Sequence, residues 1–224
     1  MSTQLNIFLN SGYAALILFT IAAALAGGFV RSSSPMMRAA TGVAFLLVTI
    51  FITISGRSLL GWTVSTVDRP SFPGFLLLAV VAAATVAGRR VATSAEFRFA
   101  TMVLAVAGLA LYPAAAGYLD RDTYVVGYNG YLLPSAVALV IAYSLWRRYF
   151  ITAFALNVAI ACFLLGTGES RNLWDYIMDP VAWIIGCGTW IALAVSFATA
   201  RIKPAKVLAP VQPSSGIGET PISH

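Results

Sequence analysis

Charge is what this chain has least of. Only 10% of its 224 residues are Asp, Glu, Lys or Arg, against about 25% in soluble domains. That shortage excludes an ordinary soluble globular protein and a disordered chain. Cysteine is nearly absent too, and two residues are too few for a disulfide-rich scaffold or a Cys-based zinc cluster. The single histidine is His224 at the end of the sequence. Histidine acid–base catalysis, haem ligation and the common zinc sites therefore lack their usual ligand. No cofactor and no metal site is predicted.

What is abundant is apolar: 59% of the residues are hydrophobic and the mean hydropathy is +0.85. A helix needs about 20 apolar residues to cross a hydrocarbon core of about 30 Å. The sequence reads as an all-α polytopic transmembrane bundle of about seven spans, at 12–30, 39–55, 74–88, 99–119, 130–146, 149–166 and 180–200. These form one domain over 1–206, and the Pro/Ser/Gly-rich stretch 207–224 reads as a disordered cytoplasmic tail. The third span is short and predicts either an earlier start, near Phe72, or a re-entrant segment. Only Arg147 and Arg148 separate the fifth and sixth spans, with no Gly or Pro to turn the chain. One unbroken helix there would be too long for a bilayer, so a tight interfacial hairpin is expected. Residues 1–11 hold no Lys or Arg, so the basic region of a signal peptide is missing and the first span reads as uncleaved.

The net charge of +6 does not point to nucleic acid, because the basic residues sit between apolar runs and not along one face. With the N-terminus outside, ten basic residues fall in the inner segments and four in the outer ones. The positive-inside rule then favours N-out, C-in. No Asn-x-Ser/Thr sequon occurs, which fits a bacterial inner (plasma) membrane.

No Asp, Glu, Lys, Arg or His lies inside any of the seven spans. That argues against proton pumps, proton-coupled carriers and voltage sensors. It also argues against a retinal protein, which needs a Schiff-base lysine in the last span. The mild polar exceptions include Asn157 and Tyr143, a candidate intramembrane polar contact. Asn157 is expected to bond across helices, because its amide cannot be fully satisfied locally. Small residues (Ala23/Gly27, Ala24/Gly28, Gly42, Gly108, Gly186, Gly188) predict close helix packing, with the first span as the candidate partner surface. Cys162 and Cys187 read as packing thiols.

Any outer-face interaction should lie on two polar, aromatic loops. The loop 117–134 carries Asp120, Asp122, Tyr128 and Asn129, and the loop 167–180 carries Glu169, Arg171, Trp174 and Asp175. Asp179 before Pro180 is a helix-start signal. Asp175 and Asp179 are spaced so that one helical turn would bring their carboxylates together. The segment 56–74 contains Leu59, Leu60 and Trp62 and suits a short interfacial piece. Pro113 and Pro134 are expected to kink their helices or mark their outer ends, and opposed kinks would open an outward vestibule. No catalytic residue set is present. The expected function is a non-catalytic integral inner-membrane protein, a scaffold or accessory subunit with a membrane-protein partner or self-association in the lipid bilayer. The alternative is a channel or carrier for a small neutral solute. A lipid-modifying enzyme using the outer carboxylates ranks third.

Overall fold

The computed structural model describes residues 3–29, 34–67, 70–120, 122–128, 130–168 and 170–202. The architecture is helical: α1 (Thr3–Phe29), α2 (Pro35–Phe51), α3 (Leu59–Thr66), α4 (Phe72–Ala87), α5 (Ser94–Ala115), α6 (Leu132–Trp146), α7 (Phe150–Leu164), α8 (Trp174–Ile177) and α9 (Pro180–Ile202). A two-stranded hairpin, β1 (Thr53–Ile54) with β2 (Arg57–Ser58), separates α2 from α3.

Local chemistry sets the helix ends. Ser34, Ser71 and Thr93 stand in extended backbone before α2, α4 and α5, and each side-chain oxygen accepts a first-turn N–H. Pro35 and Pro73 occupy the first turns, where a missing N–H costs nothing. Gly88 ends α4 in the left-handed region at φ 65°. The α6–α7 turn is made without Gly or Pro: Arg148 itself adopts φ 59°, and Tyr149 N–H donates to the Ser144 carbonyl at 2.7 Å.

These ends shift several boundaries from the hydropathy reading. The span expected at 39–55 stops at Phe51, because Ser55 and Gly56 both take positive φ and turn the hairpin. The span expected at 99–119 is displaced to 94–115: Thr93 caps it early, and its α-helix stops two residues beyond Pro113. The third starts at Phe72, where Ser71 caps it. The 56–74 segment contains the short helix α3. Pro134 lies in the first turn of α6, so it marks that end without kinking the helix.

Three helical stretches are long and apolar enough to cross a membrane: Leu9–Ala26, Ser94–Ala115 and Pro180–Ala200. The apolar helices α2, α4, α6 and α7 have 17, 16, 15 and 15 residues. At 1.5 Å per residue they reach only about 22–26 Å.

Small residues set the closest packing. α5 and α9 run antiparallel, and a Cβ on Gly186 would stand 2.8 Å from the Thr101 carbonyl oxygen. Gly108 lies directly beneath the Trp183 indole. Gly42 of α2 accepts the Phe19 ring of α1, 2.6 Å from where its Cβ would be. These glycines are used inside the protein, as is Ala23, which is fully buried; Gly188 faces open space. The core gathers Leu77, Leu104, Leu111, Leu133, Leu156 and Trp174. The periphery is apolar, with Leu139, Phe154, Ile184 and Phe197 exposed.

Candidate functional site

The polar residues of the structure concentrate where α1, α4 and α9 meet. Asp179 precedes Pro180, and its Oδ1 accepts the Ala182 N–H at 2.9 Å, capping α9. The same oxygen accepts the Tyr13 hydroxyl of α1 at 3.0 Å. Its Oδ2 accepts the Ser71 N–H at 3.1 Å and the Ser71 hydroxyl at 2.6 Å. Ser71 Oγ in turn accepts the Gly74 N–H at 3.1 Å. One carboxylate therefore caps α9 directly and α4 through Ser71, and it pins α1. Asp179, Ser71 and Tyr13 are all buried. The carboxylate stands at two helix N-termini, a setting that favours an acceptor of N–H and O–H bonds. Gly74 must be glycine here, because a Cβ would collide with Asp179 Oδ2.

A second knot joins the two polar loops. Asn172 is fully buried. Its Nδ2 donates to the Tyr124 carbonyl at 2.9 Å, and its Oδ1 accepts the Trp174 N–H at 3.0 Å. Trp174 Nε1 donates to the Thr123 carbonyl at 3.1 Å, and Leu173 N–H donates to the Gly127 carbonyl at 2.9 Å. The Tyr124 hydroxyl donates to Asp175 Oδ2 at 2.8 Å. Burial and this bond to Asp175 hold the Tyr124 phenol above its ordinary range. The Thr123 hydroxyl donates to the Ala110 carbonyl at 2.6 Å, in the turn of α5 just before Pro113. The short 3₁₀ turn Thr123–Gly127 thus packs on the end of α5.

Gly127 sits against Asn172 Oδ1 and the Trp174 ring, and a Cβ there would overlap the amide oxygen. Gly127→Ala is expected to lose about 1–3 kcal/mol by overpacking. Thermal unfolding in detergent checks this against Gly12→Ala. Gly12 is helical, with nothing near its Cβ position, so that change should be neutral or stabilising by about 0.5–1 kcal/mol.

The sequence-predicted residues divide three ways. Trp174 and Asp175 join the loop knot, and Tyr128 stands edge-on to Tyr124 at 5.4 Å. Asp122 caps the 3₁₀ turn by accepting the Tyr124 N–H at 2.9 Å. Asp120 and Arg171 are exposed, and Asn129 and Glu169 lie outside the described residues. Asp175 and Asp179 do not share a helical turn: α8 ends at Ile177 and Met178 is extended, so each carboxylate has its own partners. Asn157 is exposed on α7, and its Nδ2 donates to the Ala153 carbonyl of its own helix at 2.8 Å. Tyr143 packs on Phe99 and Trp146. The two cysteines are unbridged.

At the opposite end of α5, Glu96 is 6% exposed, and its Oε1 accepts the Ile151 and Thr152 N–H groups at 2.8 and 3.1 Å. It serves as the cap of α7, whose own preceding residue, Tyr149, makes no side-chain cap bond. Sequence reasoning missed the roles of Tyr13, Ser71, Glu96 and Asn172. Ser71 had a readable signal, a Ser two residues before Pro73 at the head of an apolar run. The others depend on tertiary placement. Among the described residues, no group of three His, Cys, Asp or Glu is arranged to hold a metal. The buried polar groups of both knots are bonded to one another and hold helices and loops together.

Comparison with protein-family models finds no match, and neither does comparison with curated proteins or with solved structures. The fold itself defines the class: a mostly helical protein with three helices long and apolar enough to cross a membrane.

Proposed function

We propose that this chain is a non-catalytic integral membrane protein of a bacterial inner membrane, acting as a scaffold or accessory subunit of a membrane complex. In this reading it crosses the bilayer seven times with its N-terminus outside. The observation that carries the proposal is Asn157. It lies on an exposed face of α7 with Phe150, Phe154, Ala161 and Leu164. One N–H reaches the Ala153 carbonyl; the second N–H and the amide oxygen remain for a partner. A carboxamide facing hydrocarbon without partners is costly, and a neighbouring helix relieves that cost. The internally bonded carboxylates at Asp175 and Asp179 support a structural role over a catalytic one.

An interhelical amide bond contributes on the order of 1 kcal/mol. Asn157→Leu should therefore weaken partner retention about fivefold. The check is mild-detergent extraction of both forms from native membranes, with native mass and co-purifying chains identified. A stoichiometric companion, or a second copy, held by the wild type and lost faster from Asn157→Leu supports the proposal. Two forms that both migrate as lone chains contradict it, and flux of a small neutral solute into vesicles would then favour a carrier.

A further inference from the structure

A cavity of about 510 Å³ opens at the end of the bundle where α4 passes to α5, and α9 forms its third wall. Its inner half is apolar, built from Val80, Val81, Ala84 and Leu193, and its rim holds Arg89, Arg90 and Arg98. Among the described residues, no carboxylate lines it. The nearest acid in sequence, Glu96, is turned to α7 and occupied by the Ile151 and Thr152 N–H groups. A fourth guanidinium, that of Arg38, lies beside Gly88 and donates to the Thr85 carbonyl at 3.2 Å. It thereby offsets the negative C-terminal end of α4. Arg90 also contacts the Ser94 hydroxyl, which draws it towards the N-terminus of α5.

We propose that this cavity is a binding site for an anionic membrane phospholipid, its phosphate held by Arg89, Arg90 and Arg98 and an acyl chain lying along the apolar half. The proposal is independent of the accessory-subunit reading. Guanidinium groups match phosphate oxygens in a bidentate fork. Basic pockets between helices at the cytoplasmic surface are suited to such headgroups. Arginines that only anchored topology would need no cavity. Arg147 and Arg148 supply the comparison: an equal pair of charges in the α6–α7 turn that does not line the cavity.

The test is native mass spectrometry of the purified full chain in detergent, with phosphatidylglycerol or phosphatidylcholine added. Arg89 and Arg90 are exposed, so Arg89→Gln/Arg90→Gln leaves the fold intact. We expect preferential retention of phosphatidylglycerol. The double variant should retain about tenfold less, the effect of losing roughly one charge-assisted contact pair. Arg147→Gln/Arg148→Asn should stay within about twofold of wild type, since neither side chain lines the cavity and exposed charges outside it are screened. Ala84→Phe fills the apolar half and should also reduce retention, with no charge removed. Equal loss from both arginine pairs, or no loss from either, would overturn the site. Displacement of the lipid by inorganic phosphate at about 10 mM, a concentration that screens little, would reassign the cavity to a free anion and overturn the lipid proposal.

Discussion

Asp179→Ala is expected to destabilise the protein by about 3–5 kcal/mol. The change removes the acceptor of four hydrogen bonds at once. Tyr13 Oη and the N–H groups of Ser71 and Ala182 are then left in a buried setting, and each unsatisfied donor costs about 1–3 kcal/mol. The losses overlap, because the site relaxes and the Ser71 hydroxyl can rotate. Loss of the α9 cap alone accounts for about 1 kcal/mol. Asp179→Asn should fall near half the full effect: one amide oxygen serves either the Ser71 side or the Tyr13–Ala182 side, while the NH₂ faces donors on the other. Thermal unfolding in detergent measures the series. Asp120→Ala, at an exposed position, should stay within about 0.5 kcal/mol. Equal behaviour of the Asp179 and Asp120 variants would remove Asp179 from its place as the junction of α1, α4 and α9.

Glu96→Ala is the second large effect, about 2–3 kcal/mol by loss of its two charge-assisted bonds to the Ile151 and Thr152 N–H groups. Here the damage should be local. α7 lacks a cap of its own, so its first turn depends on a carboxylate reaching across from α5. Freeing that turn should loosen the Arg147–Arg148 hairpin, and trypsin should cut there faster in Glu96→Ala than in wild type. Glu96→Gln keeps an amide oxygen for the Ile151 and Thr152 N–H groups and should recover most of the protection. A uniform rise in cleavage at all basic loops would indicate global destabilisation and contradict the local role.

The legible part of this fold was its periodic and compositional content. Apolar runs located α1, α2, α4, α5, α6, α7 and α9, and Asp179–Pro180 marked the start of α9 because a cap and a first-turn proline are local devices. Boundaries were less legible where hydropathy and backbone geometry disagree. The hydropathy reading carries the second span to residue 55, but the Ser55–Gly56 pair turns residues 53–58 into a hairpin. The polar junctions were the least legible. Nothing in the spacing of Tyr13, Ser71 and Asp179 brings them together, since the Tyr13–Asp179 bond spans 166 residues of sequence. The role of Glu96 is equally hidden, since its partners Ile151 and Thr152 lie on another helix. Asn157 was legible as an amide in an apolar run, but its exposure was a matter of tertiary packing.

The proposed seven crossings include four helices that are short for the task. The measurement that tests this most directly is labelling of single cysteines in intact cells with a membrane-impermeant maleimide, after Cys162 and Cys187 are replaced by Ala. The exposed positions Ile54, Tyr118 and Arg171 should label from outside, whereas Arg90 and Arg147 should label only after permeabilisation. If only α1, α5 and α9 cross, Ile54 becomes protected and Arg147 becomes accessible, and that exchange would contradict the seven-span account.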